Sequence, residues 1–117
     1  MLLTLIAALA VQAPAATARN NDLACLVVLG ASVGAAPAAQ RATLIAGTRY
    51  YVGRIEGREP GFDLARGVVA VTPTDQAQGA AFLQRHGPRC QAELVRNEAK
   101  MKAMGQALQA RARAKAK

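Results

Sequence analysis

The sequence predicts an all-α fold, a small bundle of four or five short helices clamped by one disulfide and preceded by a signal peptide. Three observations predict it. The chain of 117 residues is 52% hydrophobic yet only 3% aromatic, so its apolar content is aliphatic and rich in alanine, a good helix former. Apolar residues recur at helical spacing between stretches of Pro, Gly, Asn and Asp, and no pair of alternating runs offers a strand partner. The only two cysteines, Cys25 and Cys90, lie far apart in the chain. The expected organisation is a signal peptide over 1–18, a helical domain over 19–108 and a basic tail over 109–117.

Leu2 to Ala18 carries no charge, and Leu2 to Val11 has the length of a secretory apolar core. Gln12 and Pro14 break that run, and Ala16-Thr17-Ala18 fits the small-x-small rule for cleavage after Ala18. The competing reading is a retained anchor, for which the run is at the lower edge of spanning length. A second uncharged run, Leu23 to Ala39, holds the small-xxx-small pair Gly30 and Gly34, but Pro37 interrupts it, and a buried helix is expected. In an exported chain both cysteines meet an oxidising compartment, and the expected product is a Cys25–Cys90 disulfide. The alternatives are two buried free thiols or, without a C-x-x-C motif, a less favoured redox pair.

Asn20-Asn21-Asp22 offers cap oxygens, so the first helix of the domain is expected from Asp22 to about Ala35. Pro37 suits the first turn of a second helix running to Glu56. Its apolar stripe is Leu44, Ile45, Tyr51, Val52 and Ile55, with Thr48 in the gap and Arg41, Arg49, Arg54 and Arg58 largely off it. Gly57 is expected to close this helix in the left-handed region, and Gly53 to admit a close neighbour such as Gly30 or Gly34. Glu59-Pro60-Gly61 reads as a turn, and Phe62 to Val71 as a short helix despite its valines. Thr72 to Asp75 is a turn and cap for a helix to Arg85, with Ala77, Ala80, Ala81 and Phe82 or Leu83 inward. His86-Gly87-Pro88 ends it, and Pro88 opens a last helix through Leu94, Val95, Met101, Met104 and Leu108. The tail beyond has helix propensity but nothing to bury, and is expected to be frayed and solvated.

Charge is uneven. Residues 85–117 hold nine basic groups against Glu93 and Glu98, whereas the chain from Arg19 to Gln84 is nearly neutral, with six basic and five acidic groups. Arg111, Arg113, Lys115 and Lys117 are therefore the expected contacts to an anionic surface. Export and the lack of a stacking aromatic in the tail argue against nucleic acid. Tyr50 and Arg54, at i and i+4, form a second candidate, a partner-binding ridge.

No catalytic residue is expected. Ser32 lies in an apolar run without a nearby His, His86 is the only imidazole, and Glu56, Glu59 and Asp63 each have an Arg close by. With two Cys and one His the chain lacks a four-ligand zinc set, so neither a metal nor a cofactor is expected. No phosphate-cradling glycine motif precedes a helix, and no small-molecule substrate is expected.

The early Cys25, the Tyr-Tyr-x-Gly-Arg-x-x-Gly segment over Tyr50–Gly57, the late Cys90 and the charged helical tail together resemble small exported single-disulfide proteins of Gram-negative bacteria. The layout is similar to that of HdeA-type acid-stress chaperones and of Rap/Tai-type immunity proteins. The resemblance implies an all-helical periplasmic or secreted protein that binds another envelope protein in a chaperone-like or immunity-like manner. The chain departs from the HdeA pattern in its sparse aromatics and its seven acids, which leave little for an acid switch. The expected function is thus a non-enzymatic interaction module. The alternative is an envelope-surface adaptor whose basic C-terminal helix binds anionic lipid or polysaccharide.

Overall fold

A computed structural model describes the backbone of residues 3–116 and the side chains of residues 16–116. Among the described residues there are four helices and no strand: α1 Leu3–Ala35, α2 Ala38–Arg58, α3 Leu64–Val71 and α4 Gln76–Ala116. The chain forms two compact units, Met1–Gly87 and Pro88–Lys117. The Cys25–Cys90 disulfide is formed.

In the first unit α1 packs on α2 and on α3. Leu23, Ala24, Cys25, Leu26, Val28 and Leu29 are all buried, so this stretch of α1 is apolar on nearly every side. Ala36 and Pro37 then turn the chain, and Pro37 is the N-cap of α2 at φ −58° and ψ 151°. Tyr51 and Ile55 of α2 are fully buried at 0% exposure, and Gly47 lies one helical turn before Tyr51, also buried. Ile45 falls off the stripe and is exposed. Ser32 Oγ donates to the Val28 carbonyl and Thr48 Oγ1 to the Leu44 carbonyl, so both hydroxyls are satisfied within their own helices.

Two of the expected boundaries of α1 and α2 are corrected. Asn20-Asn21-Asp22 does not cap a helix; all three lie inside α1, which passes through the proposed cleavage site. The apolar side chains of the proposed signal core lie outside the described residues. Gly57 does not take the left-handed region; α2 runs on to Arg58, and Gly61 has the positive φ, +83°, in the Glu59–Gly61 turn. A turn at that point needs the mirror-image backbone that only glycine adopts freely.

The helix α3 starts where Asp63 caps it, its Oδ1 accepting from the Arg66 backbone N–H at 3.1 Å. The close approach expected at Gly53 occurs instead at Gly67. A Cβ there would lie 2.7 Å from Phe62 Cε1 and 3.2 Å from Leu23 Cδ1, whereas at Gly30, Gly34 and Gly53 it would meet nothing within 4 Å. Glycine at 67 therefore lets α3 sit directly on α1. Asp75 then accepts from the Gln78 N–H at 2.7 Å, as a cap for α4.

The expected stop at His86-Gly87-Pro88 is not a stop. The fourth helix is continuous over 41 residues with Pro88 inside it. A proline there supplies no N–H to the Gln84 carbonyl, and Gly87 before it is a weak helix former, but Gln84 and Arg85 on one side and Arg89, Gln91 and Ala92 on the other favour helix, and α4 runs through. In its first part Phe82 is half-buried, while Ala77, Ala80, Ala81 and Leu83 face water. In the second unit Cys90 is 1% exposed, and Arg89 pairs with Glu93 one turn on, at 3.3 Å. Val95, Met101, Met104 and Leu108, expected in the core, are more than half exposed. The tail is solvated as expected, but helical through Ala116 rather than frayed. No helix among the described residues is long and apolar enough to cross a membrane.

Candidate interaction surface

Among the described residues three places stand out beside the apolar core. The first is an ion cluster between α1 and α2. Asp22 is 1% exposed, and its Oδ2 meets Arg54 Nε at 3.4 Å and Arg58 Nη2 more closely. Both arginines come from the last turns of α2, four residues apart, so their side chains descend on one face toward the same carboxylate. Arg54 also donates from Nη1 to the Tyr50 hydroxyl at 3.0 Å and lies 5.4 Å from that ring's centre. The sequence thus placed Tyr50 and Arg54 together correctly, but the guanidinium they share is turned to Asp22. Tyr51 meets Tyr50 edge-on at 5.0 Å from within the core.

Beside this cluster, Arg19 Nη1 bonds Glu59 Oε1 at 2.7 Å, and the guanidinium carbon lies 4.9 Å from the Phe62 ring centre. Its Nε is buried without an acceptor. Glu59 does not pair with its sequence neighbour Arg58, which bonds Asp22. The partner is Arg19, forty positions away, and Asp63 is occupied as a cap. Glu59 thus fastens α1 to the α2–α3 turn, and Asp63 holds the start of α3. Among the described residues no three His, Cys, Asp or Glu side chains gather as metal ligands.

The second place is an open groove of about 430 Å³ between the end of α3 and the start of α4. Thr72, Thr74 and Gln78 give it a polar side, and Phe82, Arg85 and His86 line the other. The Phe82 and His86 rings pack at 4.6 Å with a 52° tilt. His86 is therefore not helix punctuation; it is a half-buried residue inside α4, four positions after its aromatic neighbour.

The third place is the exposed second half of α4. Leu94, Met101 and Leu108 are spaced by seven, and Met104 lies between the last two. At about 100° per residue these four occupy roughly 80° of the helix circumference. Met101 is 57%, Met104 52% and Leu108 63% exposed. By the same angular count Lys100 and Arg111 border one side of this stripe, whereas Lys102 and Arg113 lie about 80–100° beyond its other edge. Arg111, Arg113 and Lys115 are exposed on the helix; Lys117 lies outside the described residues. Sequence reasoning names the cations and the apolar positions but not the exposure of the stripe, because a helical apolar period marks a face without saying what covers it.

Compared with known proteins, the chain matches no family model, no curated protein and no solved structure.

Proposed function

We propose that this protein is a non-enzymatic interaction module of an oxidising extracytoplasmic compartment, and that it engages its partner through the second half of α4. One observation carries the reading: Met101, Met104 and Leu108 share one stripe of a helix and are all more than half exposed. Single exposed apolar residues are ordinary, but an aligned set with cations on the same helix marks a docking face. Closing off such side chains from water is worth roughly 1 kcal/mol each at half exposure. The disulfide supports the compartment, since such bonds persist outside the reducing cytosol. It also supports a division of labour. The first unit supplies a packed anchor in which Tyr51, Ile55 and Cys25 are fully enclosed, and the bond ties the exposed helical segment to it covalently.

Site-specific photo-crosslinking in the native host tests the assignment of the face. A crosslinker at Leu108 should give an adduct, to protein or to lipid, and one at the exposed Thr43 of α2 should give none. Equal adducts from both positions, or none from Leu108, would overturn it.

A further inference from the structure

We infer that the occupant of the α4 face is the surface of an anionic phospholipid bilayer, with Met101, Met104 and Leu108 set among the acyl chains and the cations of the same helix at the headgroups. The inference rests on the docking role proposed above and names its partner. Charge decides between occupants. After Glu98 the chain has six basic residues, Lys100, Lys102, Arg111, Arg113, Lys115 and Lys117, and no acid. Two copies meeting through this face would bring a dozen cations together with no counter-charge, which disfavours a second copy. The face also has no Trp, Tyr or Phe to anchor a protein pocket; its apolar residues are unbranched Met and a single Leu. A bilayer needs no pocket. It asks for a narrow exposed apolar sector and an excess of cations around the same helix, here Lys100 and Arg111 beside the stripe and Lys102 and Arg113 further round. The rest of the circumference is mostly alanine, with Gly105, Gln106 and Gln109, and adds little apolar bulk. Glu98 stands just before the apolar set and marks where the lipid-facing stretch begins.

Vesicle co-sedimentation of the full oxidised chain tests this. Vesicles of phosphatidylcholine alone are compared with vesicles containing phosphatidylglycerol, at low and high salt. Binding should appear only with the anionic lipid and weaken steeply with salt. Each cation removed in the series Lys100→Gln, Lys102→Gln, Arg111→Gln and Arg113→Gln should weaken it roughly fivefold. The double variant Met104→Gln with Leu108→Gln keeps the charge and alters only exposed positions. It should lose on the order of tenfold. Binding indifferent to lipid charge, or unchanged in that double variant, overturns the inference. Absence of vesicle binding together with a dimer by light scattering that the double variant abolishes assigns the face to a second copy. In that case the lipid inference fails while the docking role stands. Absence of vesicle binding, of a dimer and of a Leu108 crosslink removes both.

Discussion

The buried Asp22 gives an asymmetry that stability measurements can read. Its side chain is 1% exposed, whereas those of Arg54 and Arg58 are 35% and 38% exposed. Removing the charge by Asp22→Asn leaves two guanidinium groups that can turn to water. The loss is then that of charge-assisted hydrogen bonds, about 1.5–3 kcal/mol. Removing both arginines, by Arg54→Ala with Arg58→Ala, takes the two cations from a carboxylate that is 1% exposed in the intact chain. Breaking a buried pair from that side costs about 3–5 kcal/mol. The ordering is therefore set by which partner can be resolvated, not by how many hydrogen bonds are deleted. A third variant separates this from a loss of arginine packing. Adding Asp22→Asn to the double arginine variant should recover stability, because the desolvated charge is gone. The assay is equilibrium unfolding followed by far-UV circular dichroism, in urea so that the denaturant does not screen the ions. Asp22→Asn should be milder than the arginine pair, and the triple variant more stable than the double. A double arginine variant as stable as Asp22→Asn, or a triple variant less stable than the double, would refute the reasoning.

Two further predictions follow from the connections of the chain. The disulfide closes a loop of 66 residues from Cys25 to Cys90 inclusive. In the chain-entropy picture a loop of that size contributes about 4 kcal/mol. Replacing both cysteines by serine should lower the urea midpoint accordingly, further lowered by a polar group at the buried Cys25. Pro88 discriminates between one helix and two. Inside a continuous helix Pro is about 3 kcal/mol worse than Ala, so Pro88→Ala should raise amide protection from hydrogen exchange over residues 84–92. At the start of a separate helix proline is favoured, and the same variant would lower that protection.

Much of the fold was legible where the determinants are local. The turn at Glu59–Gly61, the Asp75 cap and the α2 boundary at Pro37 each depend on residues within one or two turns, and all three appear. So does the Tyr51 and Ile55 stripe, because a helical period repeats within α2 itself. What failed depended on partners distant in sequence. Asp22 reads as a cap because an Asp before an apolar run is a good one, and nothing local shows that Arg54 and Arg58 will arrive. Gly67 lacked a signal for the same reason, since its need for space comes from Leu23 and Phe62. The His86–Pro88 stretch reads as punctuation by composition, yet one lost hydrogen bond does not outweigh helix formers on both sides. At the α4 face the spacing of Met101, Met104 and Leu108 was visible, and burial was assumed from it.

The exposure of that face is the central claim, and a single indole tests it most directly. The chain has no tryptophan, so Leu108→Trp places the sole reporter on the stripe. In the oxidised protein without lipid, the account predicts the red-edge emission of a solvated indole, freely quenched by acrylamide. Circular dichroism should meanwhile show the helix retained. A blue-shifted, quencher-shielded indole in the protein alone would show the stripe already covered, by the chain itself or by a second copy, and would contradict the account.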